Sequence, residues 1–464
     1  MGGVARNGSS TGGPRGDAAA DAARGWTAAR QGRAIGAGTL DPLTLAEAYL
    51  DAAARHPDGA RVYARLTHER ALAEATAART RAQENRRLGV LDGVAISWKD
   101  LVDVAGTACE AGSRLLSGRV PEGDALAVTR ATASGTVCLG KTHLSELAFS
   151  GLGINPMAAT APQRWDQGAA PGGSSSGAAA SVFLDLAAMA IGSDTGGSVR
   201  IPAAWNDLVG LKTTAGLIPL DGCLPLATSL DTLGPLARSV EDVALGLGLL
   251  TGTAGPAIDG VAARGLTLHV PSTVVLDGLE DPVGPAFEAA VDTLAKAGCR
   301  VTRGPLTALA EVVEAATEIS PVVTAEGWQA WGSAIAAAPD TLWPPIEARF
   351  RAGQDTSDET LAAAKTRFDT LRHEVEAHIA EHGLLVLPTV PCPPPKVARV
   401  LADAAYFADR NLKALSHTRL FNLMAMCALT LPTGTPSVGL MLVAPAFEEA
   451  RLIAAGRAIE RVLA

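Results

Sequence analysis

Aromatic residues make up only 4% of this 464-residue chain, and charged residues only 19%. With so few rings, the interior has to be built from Ala, Leu and Val. The 49 glycines and 28 prolines predict many tight backbone turns. Hydrophobic residues reach 48%, enough for a sizeable core, which excludes wholesale disorder. Basic residues are in deficit, 39 Lys plus Arg against 48 Asp plus Glu, for a formal net charge of −9. An acidic chain is poorly suited to a polyphosphate, so nucleic acid is set aside as a partner. The six cysteines (109, 138, 223, 299, 392, 427) are scattered and contain no C-x-x-C pair. Neither a disulfide scaffold nor a thiolate metal knot is expected.

Long apolar runs are missing too. The best membrane candidate, Ser181 to Gly192, is short and carries Asp185. The first ten residues lack the basic-then-apolar order of a secretory signal, and Arg6 stands where a myristoylation pattern needs Ser or Thr. A soluble, cytoplasmic protein without a membrane partner is the expectation.

The first 16 residues show no periodicity and read as a flexible tail, leaving 17–464 as a single domain. Asp17 to Arg87 reads as Ala-rich helix, with Asp41 and Pro42 as N-cap and first helical residue of one segment. Beyond Gly93, short apolar strands alternate with helices, at Val94–Trp98, Thr136–Leu139, Leu266–Val270, Leu384–Leu387 and Ser437–Val443. That alternation predicts an α/β layer fold around a largely buried sheet. The stretch from about 255 to 415 differs: it holds Trp328, Trp331, Trp343 and Phe350, then the proline run 388–395, and reads as a lid or pocket wall.

Two Gly/Ser clusters dominate the chain. The first runs from Pro171 to Gly177 and precedes an Ala-rich helical stretch; the second runs from Ser193 to Pro202. Each sets a serine beside paired glycines, the arrangement expected of a nucleophile next to an oxyanion hole. A serine nucleophile needs a base, and the eight histidines supply no obvious one. His378 and His382 sit four apart on a helix, but His373 and His378 are five apart, so the H-E-x-x-H metal pattern is not met and a solvated face is expected. The remaining candidate is Lys99, at the end of the apolar strand Val94–Trp98. Burial there favours the neutral amine and makes it a usable base.

One competing signal stands out. Gly135 to Thr142 fits the phosphate-loop pattern G-x-x-x-x-G-K-[ST]. Its four central residues, Thr136-Val137-Cys138-Leu139, read as strand, and pairing in a sheet would consume the N–H groups a phosphate needs. A nucleotide-binding protein built on these residues is the rival reading.

At these residues the sequence resembles the amidase signature family, the Ser–cis-Ser–Lys amidohydrolases. The likeness runs from about Leu43 to Val462. It takes in Gly93–Asp100, Gly140-Lys141-Thr142, both Gly/Ser clusters, Ser229–Pro235, Leu387-Pro388-Thr389 and Pro436–Leu440. The resemblance implies a large mixed, twisted sheet covered by helices on both faces. It implies Ser198 as the acyl-forming nucleophile, Ser174 as a bridging serine behind a cis Gly173–Ser174 peptide bond, and Lys99 as the neutral base. Ser174 stands 75 residues after Lys99 and 24 before Ser198, as in the family. The N–H groups of Thr195, Gly196, Gly197 and Ser198 are the implied oxyanion hole, with Asp194 and Arg200 bracing the loop. A cis bond before a non-proline residue costs about 3–4 kcal/mol, so its surroundings must enforce it.

Two departures matter. Many members have Lys-Pro where this chain has Lys212-Thr213. The glutamine-using subunits of transamidosomes follow the nucleophile with Arg-Gln-Pro, whereas Arg200-Ile201-Pro202 stands here, which weighs against membership of an amidotransferase complex. The family's range implies an amidase or a carbamate-cleaving urethanase acting on a small molecule without cofactor or metal, with a homodimer as a possible assembly. Trp98, Trp165 and Trp328 are candidates for an acyl pocket.

Overall fold

A computed structural model describes residues 14–318 and 322–464. Its eleven strands are β1 (Tyr63–Leu66), β2 (Ala95–Lys99), β3 (Val137–Thr142), β4 (Met189–Ser193), β5 (Val209–Lys212), β6 (Leu233–Ala237), β7 (Thr267–Pro271), β8 (Arg300–Gly304), β9 (Leu384–Pro388), β10 (Cys427–Pro432) and β11 (Gly439–Ala444). They form one sheet in the order β1-β3-β2-β4-β6-β5-β10-β11-β9-β7-β8. Pairing is parallel for β2 with β3 and β4, and for β7 with β8 and β9; the other neighbours run antiparallel. The α/β class and the large mixed sheet expected from the resemblance are both present.

Helices cover both faces, and the burial pattern shows why the strands read as unbroken apolar runs. In β4, Ala190 packs with Ala178, Ala179 and Val182 on one side, while Met189 and Ile191 join the main core on the other. A strand buried on both faces has no polar alternation to display. Side chains in these layers are small, as a chain poor in aromatics requires.

Local signals account for several boundaries. Asp41 accepts hydrogen bonds from the Leu43 and Thr44 amides at 2.7 and 3.2 Å and caps the helix Pro42–Arg55. The stretch read as continuous helix to Arg87 is interrupted at β1, which pairs antiparallel with β3. Of the residues read as a flexible tail, 14–16 open the helix Pro14–Ala23, and the rest lie outside the described residues. No described helix is long and apolar enough to cross a membrane.

The phosphate-loop reading fails on this topology. Val137 to Thr142 is a fully buried strand held between β1 and β2, and the Cys138 amide is taken by Glu74 Oε2 at 2.7 Å, so the segment forms no open phosphate loop. Lys141 is buried and donates to Asp100 Oδ1 at 2.9 Å. Burial alone would lower its pKa, but Asp100 more than offsets this and holds the ammonium charged. This lysine neutralises a buried carboxylate and is not free to reach a phosphate.

Candidate active site

The parallel strands β2 and β4 end at the same edge of the sheet. Trp98 stands opposite Ile191, which brings the strand-end residues Lys99 and Ser193 together. Carboxyl ends of parallel strands are where open α/β sheets build their sites. Lys99 has no solvent exposure, and its Nζ lies 2.6 Å from Ser174 Oγ and 2.7 Å from Ser193 Oγ. Burial pushes its pKa down to about 7, against the opposing charges of Asp194 and Asp231. Among the described residues no carboxylate makes a salt bridge to it, so the amine is left in contact with hydroxyls that suit its neutral form.

The two Gly/Ser clusters are stitched to one another by polar contacts. The Ser174 amide donates to Ser198 Oγ at 2.9 Å, and the Ser175 amide donates to the Ser198 carbonyl at 3.2 Å. Ser175 Oγ also donates to the Ser193 carbonyl at 3.0 Å and accepts from the Ser193 amide at 3.2 Å. Lys99, Ser174 and Ser198, the three residues implied by the resemblance, lie close together in the fold. One detail differs: Ser198 Oγ meets Ser174 at its main-chain N–H rather than at its hydroxyl.

The Gly173–Ser174 peptide bond is not cis; among the described residues the one cis bond is Asp281–Pro282. Here the chain reverses through two consecutive left-handed glycines, Gly172 at φ +89° and Gly173 at φ +56°, which do the turning. A Cβ on Gly173 would come within 2.4 Å of Pro202 Cδ, so the cluster also needs glycine for close approach to the second loop.

Asp194 and Arg200 pair beneath the loop that carries Ser198, and both are fully buried. Asp194 takes Arg200 Nε and Nη2, both at 3.0 Å, and also accepts the Val199 amide at 3.1 Å and Asn422 Nδ2 at 2.8 Å. Burial works to raise the Asp194 carboxyl, but the Arg200 guanidinium beside it brings it well below the usual carboxylate range. Above this pair, the N–H groups of Thr195, Gly196, Gly197 and Ser198 bond to no acceptor among the described residues. Four free amides in succession are suited to a developing oxyanion. Gly197, at φ +140°, lies against Thr418, whose Oγ1 donates to the Gly196 carbonyl at 2.6 Å.

Sequence reasoning assigned no role to several residues that the fold adds. Asp231 Oδ1 accepts Thr195 Oγ1 at 2.5 Å, and Oδ2 accepts the Leu226 and Ala227 amides at 2.8 and 3.1 Å. Burial lifts its pKa to about 6 in spite of those bonds. Its segment was legible, its contact with Thr195 was not. Thr418 and Asn422 come from a six-residue helix, Thr418–Leu423, that no motif marks.

Ser198 opens onto a cavity of about 340 Å³ with a predominantly apolar wall that includes Phe149, Leu226, Val322, Phe368 and Leu415. A neighbouring recess of about 290 Å³, with Ser193, Thr195 and Asp231 in its wall, shares Ala148, Thr195 and Leu226 with it. None of the three tryptophans considered for an acyl pocket lines these spaces. Trp98 is core, Trp165 is exposed, and Trp328 packs at the core margin. His378 and His382 are not on a simply solvated face; with His269 of β7 they form a ring stack with centroids 4.3–5.3 Å apart. No group among the described residues is arranged to hold a metal ion.

The Amidase family model matches residues 44–453. A 2-amino-5-chloromuconic acid deaminase of Comamonas testosteroni is 35% identical over 409 residues, covering 85% of this chain and 87% of its own. A glutamyl-tRNA(Gln) amidotransferase chain of Chloroflexus aggregans is 30% identical over 469 residues, covering 92% of this chain and 94% of its own. Among solved structures, a crystal structure of an amidase matches with TM-score 0.85 at 28% identity, over 94% of this chain and 100% of the other. The peptide amidase of Stenotrophomonas maltophilia matches with TM-score 0.78, also at 28% identity, over 94% of this chain and 97% of its own. A match continuous over nearly the whole described chain makes this protein a member of the amidase-signature family, an amidohydrolase acting on C–N bonds.

Proposed function

We propose that the enzyme hydrolyses the C–N bond of a small amide or carbamate through an acyl-enzyme at Ser198, with Ser174 and Lys99 as its proton relay. The observation that carries this reading is the fully buried Lys99, its Nζ 2.6 Å from Ser174 Oγ, beside a serine held at a cavity mouth under free amides. In acylation, Ser198 Oγ bonds to the substrate carbonyl carbon as its proton passes by way of Ser174 to Lys99. The oxyanion forms beneath the amides of Thr195 to Ser198. Collapse breaks the C–N bond, and the relay returns the proton to the departing nitrogen. Water then repeats the sequence on the acyl-enzyme and frees Ser198. The Ser174 hydroxyl is already bonded to Lys99, and the Ser174 amide already holds Ser198 Oγ beside it. The single domain from residue 17 and the pocket-wall role of 255–415 belong to the same reading, supported by Val322, Arg349, Phe368 and Leu415 in the cavity wall.

A second reading follows from the amidotransferase chains among the relatives: a protein that acts only within a complex. Hydrolysis of a panel of aryl amides, aliphatic amides and aryl carbamates by the isolated chain separates the two. Turnover that disappears in Ser198→Ala supports the stand-alone hydrolase, and its preferred member names amide or carbamate. A folded chain that turns over none of them rejects the stand-alone reading for those classes.

A further inference from the structure

Two arginines line the cavity beside Ser198, and neither has an acidic partner among the described residues. Arg349 belongs to the helix Pro344–Arg351 and Arg419 to the helix Thr418–Leu423. The Nε of each is sealed from solvent without a hydrogen-bond acceptor. The Arg349 guanidinium lies over the Phe149 ring, 4.4 Å from its centroid. Several other wholly or partly buried arginines are matched, Arg200 by Asp194, Arg81 by Asp92, Arg70 by Asp124, and Arg87 by the carbonyls of Gly32, Val90 and Asp92. Arg349 and Arg419 have neither a carboxylate nor a carbonyl partner among the described residues, and they stand in the wall of the cavity.

The arrangement is unfavourable as it stands. A cation taken out of water without a counter-ion is destabilised, and a second cation nearby adds repulsion. Burial pushes Arg349 down to about 10 and the charge of Arg419 pushes the same way; burial also lowers Arg419. The Phe149 ring offsets part of this for Arg349, and among the described residues no acidic side chain lines the wall. The position of Arg419 is fixed by the same short helix that braces the nucleophile loop. Thr418 before it holds the Gly196 carbonyl, and Asn422 after it holds Asp194. Its charge is therefore set at a defined place relative to Ser198.

We propose that the substrate carries a carboxylate, bound by Arg349 and Arg419 while its scissile carbonyl lies at Ser198. This deepens the C–N hydrolase reading and rests on it. Planar guanidinium forks match the geometry of a carboxylate, and the apolar wall takes the carbon chain between the two polar ends. A cavity of about 340 Å³ restricts the class to small acid amides or acid carbamates.

The test compares the 4-nitroanilide of glutaric acid with its methyl ester, a pair that differs in one charge. Wild type is expected to favour the acid in kcat/KM by about thirtyfold, the scale of a charge-assisted contact. Arg349→Met and Arg419→Met bring that ratio toward one, mostly through KM, and Arg349→Lys restores part of it. An ester cleaved as well as the acid, or variants that slow both equally, overturns the proposal. Binding of glutarate to Ser198→Ala, read by calorimetry and by a rise in Tm, needs no turnover. Saturable binding that falls at least about tenfold when Arg349→Met is added supports the anion site even if no amide is hydrolysed. Ser198-dependent hydrolysis without glutarate binding overturns the anion site and leaves the hydrolase reading intact. Inorganic phosphate binding as tightly as glutarate overturns the choice of carboxylate.

Discussion

Lys99 Nζ and Ser174 Oγ lie 2.6 Å apart in a region without solvent, at the ends of two segments that are 75 residues apart in the chain. In the proposed mechanism the burial of Lys99 sets the pH at which the site works. An ordinary lysine is protonated throughout the neutral range, whereas burial brings Lys99 to about 7. With the neutral amine as the proposed base, kcat/KM is expected to be low in acid, to rise with unit slope, and to level off above a midpoint near that value. Asp231 raises the Lys99 pKa through its charge, so Asp231→Asn should move the rising limb to lower pH. A rate that is flat from mildly acid to alkaline pH, with chemistry limiting, removes Lys99 from the role of base.

Asp194 and Arg200 form a buried ion pair, and the role proposed for it is positional. Asp194→Asn leaves the guanidinium of Arg200 in the core with only Asn422 Oδ1, 2.5 Å away, as a strong partner. Breaking such a pair from one side costs about 3–5 kcal/mol, and here it also loosens the loop that carries the four free amides. The expected result is a lower urea midpoint together with a loss in kcat larger than the change in KM. Replacing both residues by apolar ones of similar size, Asp194→Leu with Arg200→Met, should recover much of the stability and none of the rate. If the double variant is as unstable as Asp194→Asn alone, the orphaned charge is not the cause.

The parts of this site that sequence made legible are those written in contiguous residues. Lys99 ends a visible apolar strand, and Ser174 and Ser198 sit in glycine clusters whose conformational demands show in composition. β2, β3, β7, β9 and β11 announce themselves as runs of branched apolar residues. β4 does not, because Met189-Ala190-Ile191-Gly192-Ser193 is built of small residues that are buried on both faces. β8 hides for the opposite reason: as an edge strand it exposes Arg300 and Arg303. Arg349 and Arg419 stand 70 residues apart with no shared motif. Only the packing of two short helices around the cavity makes them neighbours, just as only the packing of the helix Asp358–His382 against β7 brings His378 and His382 to His269. The reversal at Gly172 and Gly173 shows the limit of analogy, since glycine freedom takes over the turning that was expected of a cis bond.

His417 ties the site to acid stability. It is buried immediately before the helix Thr418–Leu423, with Nδ1 2.7 Å from the Pro388 carbonyl, to which it donates as the neutral ring. Burial pushes its pKa down to about 4, the bond to Pro388 notwithstanding. The unfolded chain, with an ordinary histidine near 6.5, therefore binds a proton first as pH falls. The stabilisation is complete above that value and drains away as pH drops toward the folded value, by roughly 2–3 kcal/mol for this one ring. Urea midpoints at pH 7.5 and 4.5 should thus diverge more for wild type than for His417→Asn, whatever the absolute stability of the variant. Parallel pH dependences in the two proteins would remove His417 as a source. Because Thr418, Arg419 and Asn422 follow directly on this residue, protonating it strains the helix that holds the nucleophile loop. Below the limb set by Lys99, a further reversible loss of activity should therefore precede global unfolding, and only where His417 is present.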